Sequence, residues 1–122
     1  MIKEIYKEFT FEAAHSLPDA NEQNKNIHGH SFKVQVYVKG ELDSHKGWIT
    51  DFSVLEQSLL QIKDTLDHKY LNSIEGLQKP TLEILCSWVW DKLVKEMPNL
   101  NRVVVKRESL GEGCVLSREN TS

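Results

Sequence analysis

The sequence predicts an α+β fold in which a four-stranded antiparallel sheet carries two helices on one face. Three features of the chain lead there: two-residue alternation at both ends, three-to-four-residue apolar spacing confined to the middle, and direct strand-to-strand joins that read as hairpins. A chain of 122 residues, without internal repeats, low-complexity tracts or Pro/Gly-rich linkers, fits one domain over residues 1–122.

The first strand runs from about Lys3 to His15. Ile5, Phe9, Phe11, Ala13 and His15 share one parity, and Glu8, Thr10 and Glu12 the other, so His15 falls on the apolar side. From His28 to Val38 the alternation is cleaner: Phe32, Val34, Val36 and Val38 lie on one face, with Lys33, Gln35, Tyr37 and Lys39 on the other. His28 and His30 share the apolar parity. Gly40 ends this strand, and a polar connection leads to Trp48 and Ile49.

From about Asp51 the period lengthens. Phe52, Leu55, Leu59, Ile62 and Leu66 form the stripe of an amphipathic helix ending near Asp67-His68, with Ser53 and Glu56 spaced as a capping box. After LNSIEGLQKP, Pro80 and Thr81 signal a second helix start, and Leu82, Leu85, Val89 and Leu93 make its apolar stripe. Pro98 stops it. RVVVKRES then reads as a strand, GEG as a turn and CVLS as a short final strand. Four strands leave two open edges, which subunit pairing covers, so an oligomer is expected.

Hydrophobic residues at 39% and charged residues at 27% match a soluble globular protein. A net charge of −3, a pI near 5.9 and no visible cluster of basic residues argue against a nucleic-acid binder, and a small-molecule partner is expected instead. No apolar run is long enough to span a bilayer, and MIKEIYKEF lacks the apolar stretch of a signal peptide, so no membrane contact and a cytoplasmic location are expected. Cys86 and Cys114 suggest neither a disulfide framework nor a CxxC clip. Any metal falls to histidine or carboxylate.

His28-Gly29-His30 is the sharpest local feature. Alternate strand residues point the same way, and Gly29 removes a side chain from the opposite side. An HxH pair alone is more often accidental than ligating, but if the first two strands pair as a hairpin, His15 comes beside it at matching parity. Three neutral imidazoles with an open fourth position is the arrangement of a catalytic zinc site. His45, in DSHKG, reads as a solvated loop residue, whereas His68 follows Asp67 directly after a helix.

With these residues in view, the sequence resembles the family of 6-pyruvoyl-tetrahydropterin synthase and its bacterial relative 6-carboxy-tetrahydropterin synthase, which acts in the pathway to 7-deazaguanine compounds and queuosine. The resemblance runs almost end to end through FEAAH, HGHSF, GWITDF, LDHKYLN, KPTLEIL and KRES, and its order and spacing are closer to the carboxy-type enzyme. It implies the tunnelling fold, trimers whose sheets join into a barrel and stack to hexamers, and active sites at subunit interfaces. It implies zinc on His15, His28 and His30, and 7,8-dihydroneopterin triphosphate as the substrate. The same resemblance makes Glu108 the reader of the pterin ring, through two parallel hydrogen bonds to its carboxylate. Thr81 is left between a pterin contact and a helix N-cap. Asp67 and His68 match the proton-shuttling pair.

One position departs from the family. The thiolate that abstracts a proton stands four residues before HGH in the family, and here that residue is Asn24, whose amide has no accessible basic pKa. Cys86, inside the second helix, and Cys114, near the final strand, read as packed thiols. Three readings compete. The first is a carboxy-type synthase in which His68, Lys25 or a zinc-activated water supplies the base. The second is a paralogue that cleaves the same side chain to a 6-hydroxymethyl product; such relatives use a glutamate, and the nearest here, Glu22, sits farther from HGH. The third is a pterin- or purine-binding protein that keeps the zinc site without turnover. The first is preferred.

Overall fold

The structure, a computed structural model, describes residues 1–118, without the side chains of Glu22 and Gln23. In chain order the elements are β1 (Lys3–His15), α1 (Glu22–Lys25), β2 (His28–Gly40), α2 (Phe52–Leu66), β3 (Lys69–Tyr70), α3 (Leu82–Leu93), β4 (Leu100–Arg107) and β5 (Glu112–Ser117). The four expected strands are present. A two-residue fifth, β3, joins them by pairing parallel to Ala13 and Ala14, and the sheet order is β3-β1-β2-β4-β5.

β1 and β2 pair antiparallel without a bulge from Lys3↔Gly40 to His15↔His28, so parity carries across the pair. Phe11 and Phe32 lie directly opposite, their rings stacked at 4.8 Å between centroids. Phe11, Phe32, Val34, Val36, Val38, Val103 and Val105 are buried in one cluster with Leu55, Leu59, Ile62 and Leu66 of α2 and Leu82, Leu85, Val89 and Leu93 of α3. Both helices therefore cover one sheet face. Each such side chain contributes roughly 1.5–3 kcal/mol relative to exposure, which makes this face the main stabilising layer.

The local signals were displaced in three places. The cap of α2 is Asp51, whose carboxylate accepts the Ser53 N–H at 2.9 Å, and Ser53 itself lies inside the helix. A carboxylate at a helix N-terminus also meets the positive end of the dipole, so it outcompetes the Ser53–Glu56 box. KRES is split, because β4 ends at Arg107 and Glu108–Leu110 form a 3-10 turn. Only Gly111 of GEG sits in the turn, at φ 66°, where a left-handed backbone suits glycine; Glu112 and Gly113 already belong to β5.

Among the described residues no helix is long and apolar enough to cross a membrane. Replacing Asp51 by alanine should lower stability by about 0.5–2 kcal/mol, whereas Ser53→Ala should stay within a few tenths, as urea unfolding would measure. The reverse order would return the cap to Ser53.

Candidate functional site

The in-register β1–β2 pair puts His15 opposite His28 and Ala13 opposite His30. The three imidazoles sit 4.6–5.0 Å apart between centroids and cross at 69–86°. One nitrogen from each lies within 4.8 Å of the others, and this group could hold a metal ion. Phe32 closes the apolar side, 5.7 Å from both the His15 and His30 rings.

Backbone carbonyls set the tautomers. His15 Nδ1–H donates to the Pro80 carbonyl at 3.0 Å, and His28 Nδ1–H donates to the Asn26 carbonyl at 2.7 Å. A carbonyl only accepts, so each Nδ1 carries the proton and each Nε2 keeps a lone pair. Both Nε2 atoms are buried without a hydrogen-bond partner. A buried polar atom left so costs roughly 1–3 kcal/mol, and two at one point mark the place of a ligand. Burial pushes His15 down to about 4, partly offset by the Pro80 hydrogen bond. Burial also lowers His30, with help from the Arg107 charge. Imidazole nitrogens, two of them oriented by a backbone carbonyl on the other ring nitrogen, are what a zinc ion takes, so the residues fit the metal expected of them.

Asp67 and His68 lie on the connection after α2, against β1. Asp67 Oδ1 accepts the Glu12 N–H at 2.9 Å, and Asp67 Oδ2 pairs with His68 Nδ1 at 3.1 Å. The Glu12 hydrogen bond, more than the His68 contact, lowers the Asp67 carboxyl. His68 adopts φ 59°, a left-handed conformation unusual away from glycine, and its N–H donates to the Glu12 carbonyl at 2.6 Å. Its side chain remains 79% exposed. With Glu12, Gly29, His30 and Tyr70 it lines a cavity of about 560 Å³. A Cβ on Gly29 would stand 3.7 Å from the Ala13 carbonyl, an ordinary contact; the glycine therefore opens the cavity wall rather than relieving a clash.

Glu108 lies elsewhere. Its carboxylate meets Lys33 at 2.7 Å, and it lines a separate cavity of about 410 Å³ with Lys106, Gly111, Glu112 and Val115. Thr81 is the N-cap of α3, where its hydroxyl oxygen accepts the Ile84 N–H at 3.2 Å, and it borders a third cleft, with Leu17 and Lys79. Asn24 sits in α1, which Lys25 ends; its N–H donates to the Asn21 side chain and its carbonyl accepts the Leu17 N–H. The Glu22 side chain lies outside the described residues. His45 is exposed in a turn held by Asp43. Cys86 and Cys114 are free thiols; burial pushes Cys86 up to about 12, which suits packing.

Sequence reasoning missed four residues around the triad. Pro80 and Asn26 act through backbone carbonyls, which no side-chain pattern discloses. Arg107, paired with Glu112 at 3.0 Å, carries a charge felt at both His15 and His30. Asn72 ties the residue after His15 to the connection that carries His68. Its place in LDHKYLN was the available signal.

A family model described as 6-pyruvoyl tetrahydropterin synthase matches residues 4–119. The chain is 44% identical over 107 residues to a 6-carboxy-5,6,7,8-tetrahydropterin synthase of Synechocystis, covering 83% of each chain. It is 36% identical over 104 residues to a dihydroneopterin monophosphate aldolase of Pyrococcus furiosus, covering 85% of this chain and 84% of that one. In three dimensions it is similar to a 6-pyruvoyl tetrahydropterin synthase of Caenorhabditis elegans, with a TM-score of 0.85 and 23% identity, covering 98% and 97% of the two chains.

The lowered His15 has a consequence for the metal-free protein. Unfolded, His15 takes a proton below about 6.5; folded, it resists down to about 4. The unfolded state thus binds more protons between these values, and stability falls as the pH drops through that window, by up to roughly 3 kcal/mol. Urea midpoints in a chelator should show this slope for the wild type, and it should be largely missing from His15→Gln.

Proposed function

The chain belongs to the 6-pyruvoyl tetrahydropterin synthase family, and on that premise we propose that it is a zinc-dependent enzyme of the 6-carboxy-tetrahydropterin synthase type, a lyase acting on 7,8-dihydroneopterin triphosphate in the route to 7-deazaguanine compounds. The observation that carries this reading is the pair of buried, unpartnered Nε2 atoms on His15 and His28, converging with His30. A metal held by these three supplies Lewis-acid polarisation of the substrate's side-chain oxygens.

The remaining work falls to the chain's own groups. Asp67, held ionised by the Glu12 N–H, keeps the proton of His68 on Nδ1, which leaves Nε2 to accept and return a proton. That assigns the base to His68 in place of Asn24. His68 shares its cavity with His30, which supports this role. Glu108, held by Lys33 through Oε1, offers its carboxylate to the N–H edge of the pterin ring. In this reading Thr81 offers the pterin its hydroxyl proton, since its oxygen caps α3 and its backbone N–H and carbonyl are bonded to Lys79 and Leu85.

Glu108 and His68 line different cavities, and among the described residues only Ala13 and Ala14 of β1's outer edge are paired, by β3. Both facts support a site completed between protomers of a homotrimer or a hexamer. The free thiols Cys86 and Cys114 fit a reducing cytoplasm.

A second reading has its own support. Asn24 is no base, and a relative 36% identical is a dihydroneopterin monophosphate aldolase. An aldol cleavage of the same side chain would leave a 6-hydroxymethyl pterin.

Incubating the zinc-loaded protein with 7,8-dihydroneopterin triphosphate, beside Asn24→Cys, separates the readings by product mass. We expect 6-carboxy-tetrahydropterin from both, with the variant faster by up to 10²–10⁴-fold where a general base is restored. A 6-hydroxymethyl product from the wild type would establish the aldolase, and no turnover by the wild type would leave a pterin-binding protein. Glu108→Ala should weaken pterin binding by about 1.5–3 kcal/mol in calorimetry. Unchanged affinity would remove Glu108 from the site.

A further inference from the structure

We propose that Asn72 is a positioning residue for the metal centre, holding together the two groups that aim His15. The inference rests on the three-histidine metal site proposed above. His15 is oriented by its place at the end of β1 and by the Pro80 carbonyl on its Nδ1. Asn72 reaches both. Its Oδ1 accepts the Ser16 N–H at 3.0 Å, and its Nδ2 donates to the Ser16 carbonyl at 2.9 Å and to the Gln78 carbonyl at 3.3 Å. One amide therefore clamps the residue after His15 from both sides and ties it to the segment two residues before Pro80.

The pattern needs an asparagine. The Ser16 N–H demands an acceptor and the two carbonyls demand donors, and a primary amide is the smallest side chain offering both in one plane. The clamp also lies on the connection that bears the proton-shuttling pair: Tyr70, two residues away, bonds Ser16 Oγ through its hydroxyl at 3.0 Å, and Asp67 and His68 grip Glu12. Metal ligand and proton relay are thus set against each other through one short arch, residues 67–81. Without the amide, the Ser16 and Gln78 groups turn to water and the His15 ring loses its fixed approach.

The test measures zinc affinity by competition with a chromophoric chelator, together with the ligand-field spectrum of the cobalt(II) form. Asn72→Ala and Asn72→Asp are compared with the wild type, and with Ile62→Val as a control that loosens the core on α2, outside residues 67–81. The aspartate keeps the acceptor for Ser16 but sets a charge against two carbonyls. Both Asn72 variants should bind zinc 10–100-fold more weakly with a displaced cobalt band, while Ile62→Val lowers thermal stability and leaves affinity and band unchanged. Should Asn72→Ala fail to fold, the near-isosteric aspartate carries the measurement. Wild-type affinity and spectrum in the variants would overturn the positioning role alone, and equal weakening in Ile62→Val would reduce it to general stability. A wild type that takes up no zinc would instead remove the metal site itself.

Discussion

The pairing of β1 with β2 is the constraint on which the rest depends. Residue facing has a period of two along a strand, so a slip of one residue would send the His15 side and the His28–His30 side to opposite faces. The unbroken register from Lys3↔Gly40 to His15↔His28 prevents this over the full length of both strands. What holds the register is hydrophobic: Phe11 on Phe32 and the valines of β2 are buried under both helices, and any slip would expose them. The candidate metal site is thus a by-product of the core. Its ligands are the next residues of the same apolar stripe, where the chain ends its run of carbon and places nitrogen.

A stripe alone delivers three rings to one place without choosing which nitrogen faces inward. The carbonyls of Pro80 and Asn26 make that choice, and they come from different parts of the chain. Pro80 immediately precedes the Thr81 cap of α3, so the start of that helix fixes His15 in turn. Burial then keeps His15 neutral, which suits a metal ligand and opposes protonation. Packing, capping and ligand chemistry agree at this end of the sheet, as expected where local and global preferences are consistent.

Much of this was legible in the sequence because it rests on periodicity. β1 runs from Lys3 to His15 as alternation suggests, and the three histidines group together by strand parity alone. Thr81 capping α3 was equally legible, from a hydroxyl placed just before an apolar stripe. What escaped depends on backbone groups or on distance along the chain. Two residues of β3 have no period to read, and Asp51 lay one position before the helical stripe, where only competition between caps decides. LDHKYLN marks Asn72 but does not disclose its role, which comes from an amide that reaches Ser16, 56 residues earlier. The separation of Glu108 from His68 into two cavities is likewise a property of the folded surface, and no spacing encodes it.

An amide at residue 24, where the family resemblance implies a thiolate, is structurally tolerable for a related reason. Asn24 belongs to α1, and its hydrogen bonds to Asn21 and Leu17 use its backbone rather than its side chain. His15 and His28 flank this excursion, yet they are fixed by strand register and by carbonyls at 80 and 26. A change of side chain at 24 therefore leaves the strand register and the Pro80 contact of His15 in place. The candidate metal site and the Asp67–His68 pair rest on the sheet and its arch, while residue 24 lies in α1, which meets the site through the Asn26 carbonyl at its C-cap. A family arranged this way can hold its metal and its fold while changing its product, and relatives named for a synthase and an aldolase, at 44% and 36% identity to one chain, are what such an arrangement leads one to expect.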